Sequence, residues 1–305
     1  MLSQQMKKHS LLAYFLILLV VCAAIVAGAR ALGRQEAYLA QIYMLGPAIA
    51  ALVTRLLFHP SRFRDANLRL GRLVDYVKYW LVSLAIVAMY FVVYTSLGAV
   101  EWDLSGRIFL ERLSGQFVAA GQDMQSSLPS GFTPRGMLFL YFVGGFTFFN
   151  VFPGLIAGFG EEFGHRGFMF TGLYRIGPWF AIVGGGLLWF AWHLPLLLLI
   201  PQVQPAAPIW QGILNGIVLV VGSVCTHAYL AYVYIRSRSI FVASIAHITM
   251  NNASMATGYF VVMQDQLLAN VGTALVMIGV IVAVYAGGGF RVFRDYFSVS
   301  PPATE

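Results

Sequence analysis

Charged residues are scarce in this sequence of 305 residues, and their scarcity excludes an ordinary soluble fold. Asp, Glu, Lys and Arg make up 10% of the chain, whereas 59% is hydrophobic and the mean hydropathy is +0.76. A soluble domain carries about 25% charged residues. So few charges cannot cover an aqueous surface, and the composition predicts an integral membrane protein.

Several other features are missing as well. The only cysteines, Cys22 and Cys225, lie in apolar runs, which excludes a disulfide framework. The net charge is +7, but the basic residues lie in short loops and form no clustered face, so nucleic acid is not an expected partner. The protease motif His-Glu-x-x-His, the hydrolase motif Gly-x-Ser-x-Gly and internal repeats are absent too.

Long apolar runs are what the sequence has in abundance. A membrane-spanning helix needs roughly 20 apolar residues. Eight runs approach that length, at 11–29, 39–58, 76–99, 136–159, 178–200, 209–235, 239–261 and 267–289. The first run could be a signal peptide that is cleaved near Ala29, but it is long enough to span and we count it as a span. The predicted fold is all-α, a polytopic transmembrane bundle of about eight spans.

The distribution of Lys and Arg predicts the orientation and the domain limits. The basic loops alternate with loops that are poorer in these residues, and this places both termini in the cytoplasm, with a bacterial cell membrane as the expected location. We expect one structural domain with three parts. Residues 1–135 are three spans and an outer loop with a weakly amphipathic piece near 108–120, 136–289 are the core, and 290–305 are a cytoplasmic tail.

The acidic residues of the core are few. Glu161 and Glu162 end the fourth apolar run and are followed by His165 and Arg166. A charged side chain at membrane depth costs roughly 2.5–3.5 kcal/mol on insertion scales. Glu162 and Arg166 are four residues apart and face each other on a helix, whereas Glu161 points elsewhere. Two neighbouring carboxylates can thereby take different roles, although a solvated helix end would also explain this segment alone.

Three further polar residues lie in other apolar runs, namely His193, His247 and Asn251. His247 and Asn251 are four residues apart and share a helical face. Together with Glu161, these groups could activate a water and stabilise an oxyanion. Glu161, His193 and His247 could equally hold Zn²⁺. One difficulty is depth, since Glu161 lies at the inner end of its run and His193 lies roughly 22 Å into the next.

These residues resemble three motifs of the CPBP family of intramembrane metalloproteases, also called the CAAX protease and bacteriocin-processing or Abi family. Glu161, Glu162 and Arg166 match Glu-Glu-x-x-x-Arg, and His193 matches Phe-x-x-x-His, with Trp189 in place of Phe. The third motif, His-x-x-x-Asn, is matched by His247 and Asn251. The resemblance covers about residues 155–255 and includes the type II CAAX prenyl endopeptidases.

The resemblance implies an enzyme that cleaves a membrane-embedded or lipid-anchored protein or peptide near the cytoplasmic side. Glu161 would activate water, His193 would hold the water or a metal, and His247 and Asn251 would stabilise the oxyanion. Glu162 and Arg166 would orient the site. His165 and His227 are at most supporting residues. A non-catalytic scaffold or bacteriocin self-immunity factor is the alternative, and a proton-coupled transporter is a third reading. The substrate and the need for a metal stay open.

Overall fold

The computed structural model describes residues 2–31, 42–59, 62–119, 123–124, 131, 133–146, 151–199 and 208–298. The predicted outer connection 201–207, parts of the 100–135 loop and the end of the tail, 299–305, lie outside these residues. The elements in order are α1 (Leu2–Ala31), α2 (Gly46–Leu57), α3 (Leu73–Ser96), β1 (Val100–Trp102), α4 (Arg107–Ala119), α5 (Pro134–Phe146), α6 (Val151–Gly164), a π-helical turn (His165–Phe170), α7 (Thr171–Tyr174), a second π-helical turn (Phe180–Gly184), α8 (Gly185–Leu199), α9 (Ile209–Ser237), α10 (Ile240–Gly258), β2 (Val261–Met263), α11 (Gln266–Ala286) and α12 (Gly289–Ser298).

Helices dominate this architecture, and the all-α polytopic prediction is confirmed. Four helical segments are long and apolar enough to cross a membrane: His9–Gly28, Leu73–Ser96, Ile209–Ser237 and Gln266–Ala286. Gly46–Leu57 and Phe180–Leu196 are shorter apolar helices. Since a span needs roughly 20 residues, the chain is an integral membrane protein, and four of the eight predicted runs appear as full-length helices in the described part.

Helix α10 occupies the centre of the bundle and packs against α3, α5, α6 and α9. Its N-terminus is capped by Ser239, whose hydroxyl accepts a hydrogen bond from the backbone N–H of Val242. The residues from Val242 to Met250 are all buried. Three of them, Ala243, Ser244 and Ala246, are small, and small residues allow neighbouring helices to approach closely. His247 therefore lies at the centre of the bundle.

The fourth apolar run differs from its prediction in where its helix ends. We expected a span over 136–159 with Glu161 and Glu162 at its inner end. Instead, the helix that begins at Val151 continues through the π-helical turn and α7 to Tyr174. Glu161 thus lies about 20 Å from the end of its helix, and His193 lies a similar distance from the start of the next, at Phe180. The predicted mismatch in depth disappears because the helix runs further than hydropathy indicated.

The outer loop contains a short sheet and a helix. Strand β1 pairs antiparallel with β2, with Glu101 opposite Val262, which ties the loop after α3 to the loop after α10. The weakly amphipathic piece near 108–120 forms α4, and its Phe109 packs edge-on against Tyr259 at 5.1 Å between ring centroids. This piece is therefore helical, and it lies against the end of α10.

Candidate active site

One half of the candidate site is a closed network around Glu162. Its Oε1 accepts a hydrogen bond of 2.8 Å from Nη1 of Arg166, one turn along the same helix. The same oxygen lies 2.8 Å from Nδ1 of His247 on α10. Glu162 and Arg166 are completely buried, and His247 is nearly so. Because an ionised carboxylate can only accept, Nδ1 of His247 is the donor. The contact between Glu162 and Arg166 that the spacing predicted is present.

The other half is more open and surrounds Glu161. Its Oε2 accepts a hydrogen bond of 3.1 Å from the indole N–H of Trp189 on α8. Nε2 of His193 lies 4.0 Å from the same oxygen, beyond direct hydrogen-bonding distance. Glu161 is fully buried, whereas the His193 side chain is 30% exposed. His193 is therefore the exposed side of this half, and Glu161 lies behind it.

His193 has a defined tautomer when it is neutral. Its Nδ1 lies 2.8 Å from the backbone carbonyl of Trp189, and a carbonyl only accepts, so Nδ1 carries the proton. Nε2 then has a lone pair and faces Glu161. The arrangement presents two acceptors, a carboxylate oxygen and an imidazole nitrogen, to the same small space.

Buried polar atoms without a hydrogen-bond partner are concentrated in this region of the described structure. They include Oε1 of Glu161, Oε2 of Glu162, and Nε and Nη2 of Arg166. Each such group costs about 1–3 kcal/mol relative to a satisfied one. Because buried polar groups in native proteins are normally paired, this concentration indicates groups that are held ready for a ligand or for chemistry.

The remaining motif residue and two other histidines occupy different positions. Asn251 lies one turn beyond His247 with its side chain exposed, and it belongs to neither of the two networks of described contacts. His165 is buried with its ring 5.0 Å from that of Trp192, and neither ring nitrogen has a partner among the described residues. His227 is buried and hydrogen-bonded through Nε2 to the carbonyl of Ala181, at 3.1 Å. Asn251 thus stands at the rim, while His165 and His227 lie behind the site.

Close packing of α2 fixes the helix that carries the two glutamates. Gly164 directly precedes the π-helical turn, and a Cβ added there would come within 2.3 Å of Cβ of Pro47 at the start of α2. Glycine is thus required by the close approach of the two helices. The turn that follows contains Arg166, so its hydrogen bond to Glu162 depends on how this segment is held. π-helical turns occur frequently at functional sites.

Arg55 on α2 holds the same π-helical turn and was not singled out from the sequence. Its side chain is completely buried, and Nη2 donates a hydrogen bond of 2.5 Å to the carbonyl of Gly167, the residue after Arg166. Nη1 forms an ion pair of 2.6 Å with Asp65 and also donates to the carbonyl of Arg62. The guanidinium lies 5.2 Å from the ring centre of Phe168. Arg55 thus links α2, the following loop and the turn that carries Arg166.

Asp65 is the counter-charge of this linkage and lies in the loop between α2 and α3. Arg175 contributes a second ion pair of 3.2 Å, and His59 lies 3.6 Å away. Burial alone would raise the pKa of the Asp65 carboxyl, but Arg55, His59 and Arg175 together hold it below its ordinary value of 3.8. The carboxylate therefore stays charged at neutral pH.

Helix α1 and the segment just before α2 also position α8 beside the glutamates. The indole N–H of Trp192 donates to Sγ of Cys22 on α1 at 3.3 Å. The hydroxyl of Tyr43 donates to the carbonyl of Trp192 at 2.9 Å, and the two rings stack at 5.2 Å. Trp192 directly precedes His193, so these contacts fix the register of the histidine. The sequence indicated only hydropathy for this part of the chain.

Glu161, His193 and His247 are the donor set that the sequence suggests for a metal ion. Among the described residues, no three His, Cys, Asp or Glu side chains are grouped in a way that could hold a metal ion. Glu161 and His193 face each other, but the Nδ1 of His247 is directed at Glu162. A tetrahedral zinc ion with bonds of about 2.1 Å would set two ligand atoms roughly 3.4 Å apart, compared with the 4.0 Å between Glu161 and His193. These side chains do not form a three-ligand zinc site as they stand.

The fold and these networks define a class, an integral membrane protein with a buried carboxylate and imidazole site on α6, α8 and α10. Residues 137–253 match the family model described as type II CAAX prenyl endopeptidase Rce1-like. The matched segment contains all three motifs, and the resemblance to the CAAX protease family is confirmed. The match supports intramembrane protease activity in general and a membrane-associated protein as substrate. No curated protein matches the chain.

Proposed function

We propose that this protein is an intramembrane endopeptidase in which Glu161 activates the water that attacks a peptide bond. The observation that carries the proposal is the contrast within one buried pair. Each glutamate has one oxygen without a partner among the described residues, but the other oxygen of Glu162 is paired with Arg166 and His247. The other oxygen of Glu161 accepts only the indole N–H of Trp189 and faces the lone pair of His193. A general base must have such a free acceptor close to the reacting group.

The spacing of the two acceptors suits one water molecule. A water that donates hydrogen bonds of about 2.8 Å to two acceptors separates them by roughly 4.4 Å. Oε2 of Glu161 and Nε2 of His193 are 4.0 Å apart. In the proposed mechanism, this water attacks the carbonyl carbon while its proton passes to Glu161. The proton is then delivered to the amide nitrogen as the carbon–nitrogen bond breaks.

The oxyanion would be stabilised from α10. Nδ1 of His247 is committed to Glu162, so a charged imidazolium offers only Nε2–H to the oxyanion. Asn251, one turn further along and exposed, supplies a side-chain amide on the same face. Glu162 would hold His247 in place and balance its charge, and Arg166 would hold Glu162, without either residue taking part in proton transfer.

A zinc-assisted form of the same reaction is the second candidate. Its ligands would be Glu161, His193 and His247, and the ion would polarise the substrate carbonyl. The observation in its favour is that Glu161 and His193 already face each other across 4.0 Å. His247 would have to release Glu162 to complete the set, which is why we favour the metal-free arrangement.

The orientation and the substrate follow from the same proposal. With both termini in the cytoplasm, the basic loop that contains Arg62 and Asp65 and the end of α7 lie on the cytoplasmic side. The substrate would be a membrane-embedded or lipid-anchored protein or peptide in a bacterial membrane. A non-catalytic scaffold or immunity factor would also keep a packed polar core, but such a core gains nothing from unpaired buried atoms.

Hydrolysis of a peptide library by the purified protein in liposomes tests the proposal. We expect cleavage by the wild-type protein, with or without a chelator, and loss of cleavage in Glu161→Ala. Inhibition by chelator with recovery on addition of Zn²⁺ would favour the zinc-assisted form. Cleavage at the wild-type rate by folded Glu161→Ala protein would overturn the role of Glu161.

A further inference from the structure

A long apolar groove runs between α3 and α5 on the surface of the bundle, and none of the candidate active-site residues lines it. Its volume is about 950 Å³. The walls belong to α3 and α5, and the remaining lining residues come from the segment around β1 and from the end of α10. Several apolar side chains of the walls are exposed, among them Val92, Phe139 and Phe142. The proposed reaction makes no use of this surface.

We propose that the groove holds the acyl chains of a phospholipid whose anionic head group binds Arg135. The membrane around the protein supplies such a ligand. The inference does not depend on the proposed function, because it concerns other residues and a ligand that is not cleaved.

The groove is divided into an apolar part and a polar end, as a phospholipid is. Along α3 its wall is apolar from Leu84 to Val92 and ends at Thr95 and Ser96. Arg135 stands in the first turn of α5 and lines the same groove. The end of α3 and the start of α5 therefore place their polar residues at the same end of the groove, and the rest of both walls suits hydrocarbon.

The length of the groove matches one leaflet of the bilayer. At 1.5 Å per residue, the wall from Leu84 to Ser96 is about 18 Å long, and the wall from Arg135 to Phe146 is about 16 Å long. The hydrocarbon core of a bilayer is about 30 Å thick, so one leaflet contributes about 15 Å. Acyl chains of ordinary length can thus fill the groove while the head group lies beside Arg135. With both termini in the cytoplasm, this leaflet is the outer one.

Arg135 supplies a charge that is complementary to an anionic head group. Its side chain is exposed, and it has no acidic partner among the described residues. Arg107, in the same outer region, is different because it is paired with Asp103 at 3.3 Å and with Glu111 at 3.0 Å. Trp102 lines the groove at the same end, and tryptophan side chains are enriched at the level of the lipid head groups. These features favour a phospholipid with a negative head group over hydrocarbon alone.

Two alanines of α3 offer a matched pair of variants. Ala88 is exposed and lines the groove, whereas Ala85 is exposed on the same helix and does not line it. A tryptophan at position 88 would occupy the groove, and the same substitution at position 85 would only add apolar surface. For the head group, Arg135→Gln removes the charge, and Arg107→Gln is its control because Arg107 does not line the groove.

The experiment titrates the purified protein in detergent with phospholipid and measures the Kd of the first bound lipid by native mass spectrometry. The probes are phosphatidylglycerol and phosphatidylcholine with the same palmitoyl and oleoyl chains. We expect wild type to bind phosphatidylglycerol more tightly. Arg135→Gln should weaken phosphatidylglycerol binding about 5-fold and remove most of this preference. Ala88→Trp should weaken the binding of both lipids about 10-fold or more, while Ala85→Trp and Arg107→Gln stay close to wild type.

Three results would overturn the proposal without touching the proposed protease activity. One is equal binding of the two lipids by wild type, and another is an effect of Ala88→Trp no larger than that of Ala85→Trp. The third is displacement of phosphatidylglycerol by an S-farnesyl peptide, which would assign the groove to the lipid anchor of a substrate. A dimer that wild type forms and Ala88→Trp loses would also contradict the proposal, because the groove would then be an interface between two copies of the chain.

Discussion

The two halves of the candidate site each contain a buried glutamate and a histidine, and they differ in the partners of the glutamate. In the closed half, one oxygen of Glu162 receives both Arg166 and His247 at 2.8 Å. In the open half, Glu161 receives a single indole N–H, and His193 stays 4.0 Å away. Both glutamates are fully buried, so burial does not separate them. In the proposed mechanism, these adjacent and chemically identical side chains take different roles because their partners differ.

The largest expected effect separates chemistry from stability in the open half. Glu161→Gln keeps the size of the side chain and removes the base, so kcat should fall by about 10³-fold or more. The thermal unfolding midpoint should stay the same or rise, because a buried charge is removed. Rates and midpoints of the purified protein are the measurements. A large fall in the unfolding midpoint would show that Glu161 stabilises the folded protein. The two glutamates would then not differ as proposed.

The closed half should respond in both properties. Glu162→Gln leaves the buried Arg166 without a charged partner, and breaking a buried pair costs about 3–5 kcal/mol. We expect kcat to fall about 100-fold and the unfolding midpoint to fall clearly below that of Glu161→Gln. The double variant Glu162→Gln, Arg166→Met should recover stability without activity. Equal midpoints for the two single Gln variants would contradict the comparison.

We predict that the contacts of Arg55 affect the closed half, although Arg55 itself does not contact Glu162 or His247. Arg55→Gln removes the ion pair with Asp65 and weakens the hold on Gly167, so Arg166 should move relative to Glu162. We expect kcat to fall about 10-fold with KM changed less. The matched control is Arg175→Gln, which loses only the more exposed ion pair to Asp65. An effect of Arg175→Gln as large as that of Arg55→Gln would show that the loop, and not the π-helical turn, is affected.

The same linkage predicts a dependence of stability on pH. The pKa of Asp65 is lower in the folded protein than its ordinary value of 3.8, so its contribution is complete above that value and is lost as the pH falls through the folded pKa. Asp65→Asn should therefore unfold at a lower temperature than wild type at pH 7, and the difference should shrink in strong acid. Unfolding midpoints of both proteins between pH 7 and pH 2 provide the check. A difference that does not change with pH would contradict the ion pair.

The smallest expected effect tests the single hydrogen bond of the open half. Trp189→Phe removes the indole N–H that donates to Glu161, while Phe is the residue of the family motif at this position. We expect kcat to change by less than about 10-fold, which corresponds to the loss of an ordinary hydrogen bond of about 0.5–1.5 kcal/mol. Steady-state rates measure this. A fall in kcat as large as that of Glu161→Gln would mean that Glu161 depends on its hydrogen bond from Trp189, as Glu162 depends on its own partners.

The sequence predicted the helices and the contact between Glu162 and Arg166 because both depend on local patterns. Runs of apolar residues and a spacing of four are visible in one dimension. The predicted end of the fourth span was wrong. Gly164 and the polar residues after it have the pattern of a helix end, but the helix continues through a π-helical turn to Tyr174. Hydropathy does not detect such a turn.

Arg55 was missed for a related reason. An arginine near the end of an apolar run, before a loop rich in Arg, has the pattern of a positive-inside residue. Its burial and its hydrogen bond to Gly167 join positions that are far apart in the sequence. The same holds for Trp192, which is fixed by Cys22 on α1 and by Tyr43 in the segment before α2. Contacts of this kind could be found only in three dimensions.

The most direct test of the central claim is the single-turnover rate of Glu161→Ala in liposomes, measured without and with added formate. The account predicts a rate at least about 10³-fold below wild type without formate, with partial recovery when formate supplies the missing carboxylate and no such recovery in Glu162→Ala. A rate within tenfold of wild type in folded Glu161→Ala protein without formate would contradict the account.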